Sequence, residues 1–195
     1  MRIERAVNYI EALGPGRRLA VWVNGCSRGC PGCVSERLQA YDAGTEVEIE
    51  DYFRDYRLDG TDGVTVSGGE PFEQIAELLH LVRYFGARGV RDILVYTGYT
   101  LAELHAMQDP AVEEILSRIA VLIDGPYIQS LDTGKGNLKG SDNQEIHYFI
   151  PELKDAYEAF MREERAMQEM ALPGALLAVG IPNAAYIEEF REKKA

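Results

Sequence analysis

The chain has 195 residues, 46% of them hydrophobic, which is enough for one good core and calls for no second domain. Its 32 acidic against 20 basic residues give a net charge of -12, which argues against a broad phosphate-binding surface and so against nucleic acid as a partner. No apolar run approaches the roughly 20 residues of a bilayer span, and the first ten residues are charged rather than signal-like, so a cytoplasmic protein without a membrane partner is expected.

In chain order, the first predicted strand covers residues 19–23, and matching apolar runs follow at 64–66, 93–96 and 120–123. Their near-continuous apolar character, without strict alternation, marks strands buried on both faces of a parallel sheet. Between them, Phe72, Ile75, Leu78, Leu79, Val82 and Phe85 fall on one helical face, with Pro71 suited to the first helical position. A second helix is expected from Pro110, capped by Asp109 and carried by Val112, Ile115, Leu116 and Ile119. Strand and helix alternate, so the fold class is α/β with a parallel sheet, open or curled into part of a barrel.

Residues 134–143 are rich in Gly, Asn, Ser and Asp and read as a loop before a possible fifth strand at 145–150. After Pro151 a charged helix is expected to about Met170, with Leu153, Tyr157, Phe160 and Met167 on its apolar side, and the run 175–181 adds a strand or packs beneath that helix. The expected organisation is one domain over 1–195, with a core of about 16–150 and a C-terminal helical extension over 151–195.

Each predicted strand ends in a polar or glycine turn: Asn24-Gly25-Cys26, Ser67-Gly68-Gly69-Glu70, Thr97-Gly98-Tyr99 and Asp124-Gly125-Pro126. In a parallel sheet these turns share the carboxyl edge, where such folds bind ligands. The first turn opens the run Cys26-Ser27-Arg28-Gly29-Cys30-Pro31-Gly32-Cys33, which contains every cysteine of the chain. Three thiols within eight positions cannot pair evenly as disulfides and point to metal or redox chemistry. Thiolates bind iron-sulfur clusters or zinc. A structural zinc site wants a fourth ligand, no fourth cysteine exists, and His80, His105 and His147 are scattered. At the second turn, Gly68 and Gly69 allow close backbone approach, and Glu70 places a carboxylate at a helix start.

The cysteine spacing, directly after the first strand, resembles the signature of the radical S-adenosylmethionine superfamily, and Gly68-Gly69-Glu70-Pro71 is similar to its glycine-rich element. The resemblance implies that Cys26, Cys30 and Cys33 hold a 4Fe-4S cluster with one iron open. It also implies that Gly68, Gly69 and Glu70 serve the methionine end of S-adenosylmethionine, in a partial (β/α) barrel. The stretches 96–104, 124–127 and 139–144, with the Cys-Pro-Gly-Cys core, look like the activating proteins of anaerobic ribonucleotide reductase, and the likeness runs from about Gly16 to Phe149. On that likeness Thr97, Asp124, Ser141 and Asn143 are candidate pocket residues. Relatives often place an aromatic residue beside the third cysteine; here Gly32 and Val34 flank Cys33. Val34 is left to offer apolar contact to the adenine, and the backbone near Gly32 to read the base edge.

The activity implied is reductive cleavage of S-adenosylmethionine to methionine and a 5'-deoxyadenosyl radical, which takes a glycine hydrogen from a large partner glycyl radical enzyme. An electron donor such as flavodoxin or ferredoxin is implied as a second partner. Rival readings are a radical enzyme acting on another glycyl radical enzyme, a peptide or a small molecule, and a non-catalytic iron-sulfur electron-transfer module. The short chain, free of further cysteines, favours the activating role over the first rival. The second rival gives no reason for Gly68-Gly69-Glu70 at the cofactor edge.

Overall fold

A computed structural model describes residues 1–172, 175–183, 185–187 and 189. The chain runs through β1 (Arg2–Ile10), β2 (Arg18–Val23), β3 (Thr45–Glu46), α1 (Ile49–Phe53), β4 (Gly63–Gly68), α2 (Ile75–Gly86) and β5 (Ile93–Tyr96). It continues through α3 (Leu101–Ala106), α4 (Pro110–Arg118), β6 (Val121–Asp124), β7 (Glu145–Tyr148) and α5 (Lys154–Arg162) to a hairpin of β8 (Gln168–Leu172) and β9 (Ala175–Val179).

The four apolar runs form the centre of a seven-stranded sheet ordered β3-β1-β2-β4-β5-β6-β7. Strands β2, β4, β5 and β6 are mutually parallel, as their two-sided burial requires, and β1, β3 and β7 close the flanks in antiparallel pairing. Within the run 145–150, Glu145–Tyr148 forms the expected strand, but as an edge strand running against β6. β1 has no counterpart among the expected elements: Arg2, Glu4 and Arg5 interrupt its apolar positions, and the register breaks between Val7 and Ile10, where Tyr9 takes a positive φ.

One face of the sheet packs on helices: Leu19, Val21, Val64, Val66 and Val95 meet Leu78, Leu81, Val82 and Phe85 of α2 and Val112 and Ile115 of α4. Pro71 opens a short 3-10 turn that leads into α2, and the Glu70 carboxylate accepts from Phe72 N at 3.0 Å as its cap. Asp109 caps α4 through Ala111 N at 2.8 Å, as its position before Pro110 implies.

The opposite face is covered by the C-terminal part of the chain. Leu94, Val121 and Ile123 pack on Leu138 and Tyr157, while Ala20 and Trp22 meet Val179, Met170 and Leu177 of the hairpin. The extension therefore differs from the helix expected to about Met170, while the run 175–181 does supply a strand, β9. α5 ends at Arg162, Arg165 turns inward to bond backbone carbonyls, and Gln168–Leu172 pairs antiparallel with Ala175–Val179, with Gln168 bonded to Glu11 N at 2.7 Å and Tyr9 O at 3.0 Å.

At the end of the sheet away from the cysteines, Arg18 is fully buried and paired bidentately with Asp92, at 2.7 Å and 3.0 Å. Thr65 Oγ1 accepts from Arg18 Nε at 2.7 Å, and the Tyr157 hydroxyl donates to Asp92 at 2.6 Å, so one charge pair ties β2, β4 and the approach to β5 to α5.

Candidate functional site

The loop after β2 leaves the sheet at Gly25 and folds back on itself: Gly25 N donates to Leu38 O at 2.9 Å and Cys26 N to Gln39 O at 3.0 Å. Within it Gly29 and Gly32 take φ of 57° and 74°, a left-handed turn that glycine adopts at little cost, and Cys33 N closes on Cys30 O at 3.2 Å. All three cysteines are free and half-buried, and all line one cleft of about 530 Å³ at the carboxyl edge of the parallel strands. Among the described residues no three His, Cys, Asp or Glu side chains are drawn into a closed metal-holding set. The donor chemistry still fits an iron-sulfur cluster: three thiols open on one cavity, on a loop whose glycines let it close around a guest. Burial pushes the Cys26 and Cys33 thiols up, so thiolate ligation there releases protons.

The turn after β4 lies directly against that loop. Gly69 N donates to Val23 O at 2.7 Å and Glu70 N to Gly25 O at 2.8 Å. A Cβ on Gly68, whose φ is 110°, would sit 2.5 Å from Val23 O, and one on Gly69 would sit 2.4 Å from Gly25 O. The close approach these glycines permit is therefore first to the end of β2, for Gly68, and to the start of the cysteine loop, for Gly69. Gly69→Ala is expected to cost about 2 kcal/mol in urea unfolding and to lower cluster retention with it; a variant unchanged in both contradicts the packing.

Glu70 is 1% exposed. One carboxylate oxygen accepts from Phe72 N at 3.0 Å and from Thr97 Oγ1 at 2.8 Å, and the other accepts from Gly98 N at 2.6 Å. Burial, the largest influence, pushes its pKa up to about 7 against the opposing bonds from Gly98, Phe72 and Thr97. The folded carboxyl holds its proton more tightly than the unfolded one, whose ordinary value is 4.5. Stability should therefore fall as pH rises from about 4.5 to about 7, by on the order of 3 kcal/mol, and be insensitive to this group above that. Urea midpoints measured across that window should lose this slope in Glu70→Gln; an identical slope in both chains contradicts the assignment.

Gly32, Val34, Gly68, Gly69, Glu70 and Thr97 line the cleft with the three cysteines. Asp124, Ser141 and Asn143 lie beside it and brace its walls. Asp124 accepts from Leu101 N at 2.6 Å, from Glu145 N at 3.2 Å and pairs with His147 at 2.9 Å. Ser141 Oγ accepts from Ile128 N at 3.1 Å, and Asn143 Nδ2 donates to Pro126 O at 2.8 Å. Their neighbours Gly125, Tyr127, Gly140 and Gln144 face the cavity.

Two charged residues at the site had escaped the sequence reading. Arg28, inside the cysteine loop, lies 4.5 Å over the Tyr99 ring and bonds Gly98 O and Glu103, joining this loop to the turn after β5. Glu73 accepts from Ser27 N at 2.9 Å, Ser27 Oγ at 2.6 Å and the Tyr41 hydroxyl. Burial works to raise the Glu73 carboxyl, but these bonds outweigh it and hold the group below its ordinary range, while the contact drives Tyr41 up to about 12. The only sequence signal for either is position: Arg28 lies within the cysteine run and Glu73 two residues past Pro71.

Comparison with known proteins matches residues 12–147 to the family model of a 4Fe-4S single cluster domain. The chain is 33% identical over 144 residues to the anaerobic ribonucleoside-triphosphate reductase-activating protein of Escherichia coli, covering 69% of this chain and 90% of that protein. It is 35% identical over 158 residues to the protein of the same name from Pasteurella multocida, covering 73% and 98%, and 34% identical over 145 residues to that of Vibrio cholerae, covering 70% and 90%.

Proposed function

Because the chain belongs to the family of anaerobic ribonucleoside-triphosphate reductase-activating proteins, we propose that it activates such a reductase by radical S-adenosylmethionine chemistry. The observation that carries this reading is the meeting of Cys26, Cys30 and Cys33 with Gly68, Gly69 and Glu70 in one cleft. On it, the three cysteines are the protein ligands of a 4Fe-4S cluster, and three thiolates leave the fourth iron for a cofactor. A reduced cluster held by these cysteines would supply the electron for cleaving S-adenosylmethionine to methionine and a 5'-deoxyadenosyl radical, the species that would take the α-hydrogen of a glycine on the partner.

The chain's own residues bind and orient. Glu70 Oε2 accepts a single internal bond, from Gly98 N, and so keeps a lone pair for the amino group of the methionine moiety, within the hydrogen-bonded frame of Thr97 and Gly98. Gly32 and Val34 stand at the adenine end. Asp124, Ser141 and Asn143 hold the loops that shape the cavity. The parallel strands β2, β4, β5 and β6 act as part of a (β/α) barrel within a single domain over 1–195, and the reductase glycine reaches the cleft from its carboxyl edge. The donor of the electron is a small redox protein of the flavodoxin or ferredoxin kind. The net charge of -12 offers nucleic acid no purchase, and no helix among the described residues is long and apolar enough to cross a membrane.

The test is anaerobic. The chain is reconstituted with iron and sulfide, reduced and given S-adenosylmethionine, and 5'-deoxyadenosine and methionine should form in equal amounts. A full, reducible cluster that yields neither product, with or without the reductase, overturns the reading and leaves an electron-transfer module.

A further inference from the structure

On the S-adenosylmethionine reading above, the adenine needs a surface to pack on, and the residues beside Cys33 do not provide one. Gly32 has no side chain, and Val34 is 65% exposed, too small and too open to cover a purine. Among the described residues three aromatic side chains line the cleft: Trp22, Tyr96 and Tyr127. Trp22 packs into the hairpin cluster and Tyr96 against the cluster around Tyr157. Tyr127 lies in the turn after β6 and lines the cleft together with the three cysteines, Gly32 and Val34.

The Tyr127 ring is held on two sides. It lies against the Gly140 backbone so closely that a Cβ there would come within 3.0 Å of it. Its hydroxyl donates to Asp132 Oδ2 at 3.1 Å, and Asp132 Oδ1 is paired with Arg165 at 2.9 Å. Arg165 comes from the segment after α5, outside the matched span 12–147. Its buried guanidinium also donates to Lys139 O at 2.7 Å, Gly140 O at 3.2 Å, Gly136 O at 3.1 Å and Pro182 O at 3.1 Å. One side chain of the extension thus fixes both the loop behind the ring and the acid that anchors its hydroxyl.

The geometry points to Tyr127 as the aromatic surface on which the adenine of S-adenosylmethionine packs, with Arg165 as the positioning residue that holds it through Asp132 and Gly140. A flat, half-buried ring that is braced by Gly140 and Asp132 and lines the cavity is preorganised for a flat heteroaromatic guest. The extension then belongs to the site, because it sets the wall against which the cofactor is read.

The experiment compares two ligands of the anaerobically loaded full chain by equilibrium titration: S-adenosylmethionine, and methionine, which has no adenine. Tyr127→Leu should weaken S-adenosylmethionine about tenfold, the scale of one lost base-aromatic stack, and leave methionine unchanged. Tyr127→Phe keeps the ring and should retain most of the affinity. Arg165→Gln should weaken S-adenosylmethionine selectively, by less than Tyr127→Leu. A parallel loss of both ligands marks a fold or cluster defect and overturns the assignment, as does an S-adenosylmethionine affinity unaffected by Tyr127→Leu. A loaded wild-type chain that binds neither ligand is a separate result, and it removes the S-adenosylmethionine reading along with this one.

Discussion

Cys30→Ala is expected to leave a folded chain that holds no 4Fe-4S cluster and forms no 5'-deoxyadenosine above background. The three thiols are the whole donor set: no other cysteine exists in the chain. His80 and His105 are paired with Glu50 and Glu113 on the helices, and His147 with Asp124. A two-thiol loop cannot bind the cluster in the way the proposed chemistry needs, since three protein ligands are what leave one iron open. The fold should tolerate the change, because Cys30 is half-buried on a loop and a substitution there falls within about 0.5 kcal/mol. Iron and sulfide content, the visible absorbance of the loaded protein and the unfolding midpoint of the unloaded one separate the two effects. A Cys30→Ala chain that carries a full, reducible cluster contradicts the assignment of the ligands.

Asp92→Ala is expected to destabilise the chain by about 3 to 5 kcal/mol, because it strips the counter-charge from a fully buried guanidinium. That is a large share of the roughly 5 to 15 kcal/mol by which a domain of this kind is held. The loss has two parts: the bidentate pair with Arg18, and the acceptor for the Tyr157 hydroxyl at 2.6 Å, which links α5 to the sheet. Tyr157→Phe removes only the second and should cost about 1 kcal/mol. Replacing both Arg18 and Asp92 by apolar residues of similar size should restore much of what Asp92→Ala loses, since no unpaired charge then remains. Urea unfolding of the unloaded full chain reads all three. A midpoint for Asp92→Ala close to the wild type would mean that Arg18 finds water or another acceptor.

The central strands were legible in the sequence because a strand buried on both faces must be apolar at nearly every position, and residues 19–23, 64–66, 93–96 and 120–123 are. β1 was not, because it flanks the sheet with one face partly open and carries Arg2, Glu4 and Arg5 among its apolar residues. The helix after Pro151 was over-extended because nothing local announces that Arg165 will be buried. Its partners are carbonyls at residues 136, 139, 140 and 182.

The same distinction runs through the site. The meeting of the cysteines with the Gly68-Gly69-Glu70 turn was legible because each run is close in sequence and follows a parallel strand, so both fall at one edge of the sheet. Arg28, Glu73 and Tyr127 gain their meaning from contacts far along the chain: Arg28 with Tyr99, Glu73 with Tyr41, Tyr127 with Gly140. Asp124, Ser141 and Asn143 are expected as pocket residues, and the structure places them beside the cleft, next to residues that line it. Which way each side chain turns depends on the backbone groups the surrounding loops leave unpaired, and these three turn toward the loops.

The most direct measurement mixes the loaded, reduced chain with S-adenosylmethionine and an anaerobic ribonucleoside-triphosphate reductase, and records the electron paramagnetic resonance spectrum of the reductase. The account predicts a glycyl radical that requires the chain, the cofactor and all three cysteines. A loaded chain that cleaves S-adenosylmethionine yet leaves the reductase without a radical would contradict the activating role and send the search to another substrate.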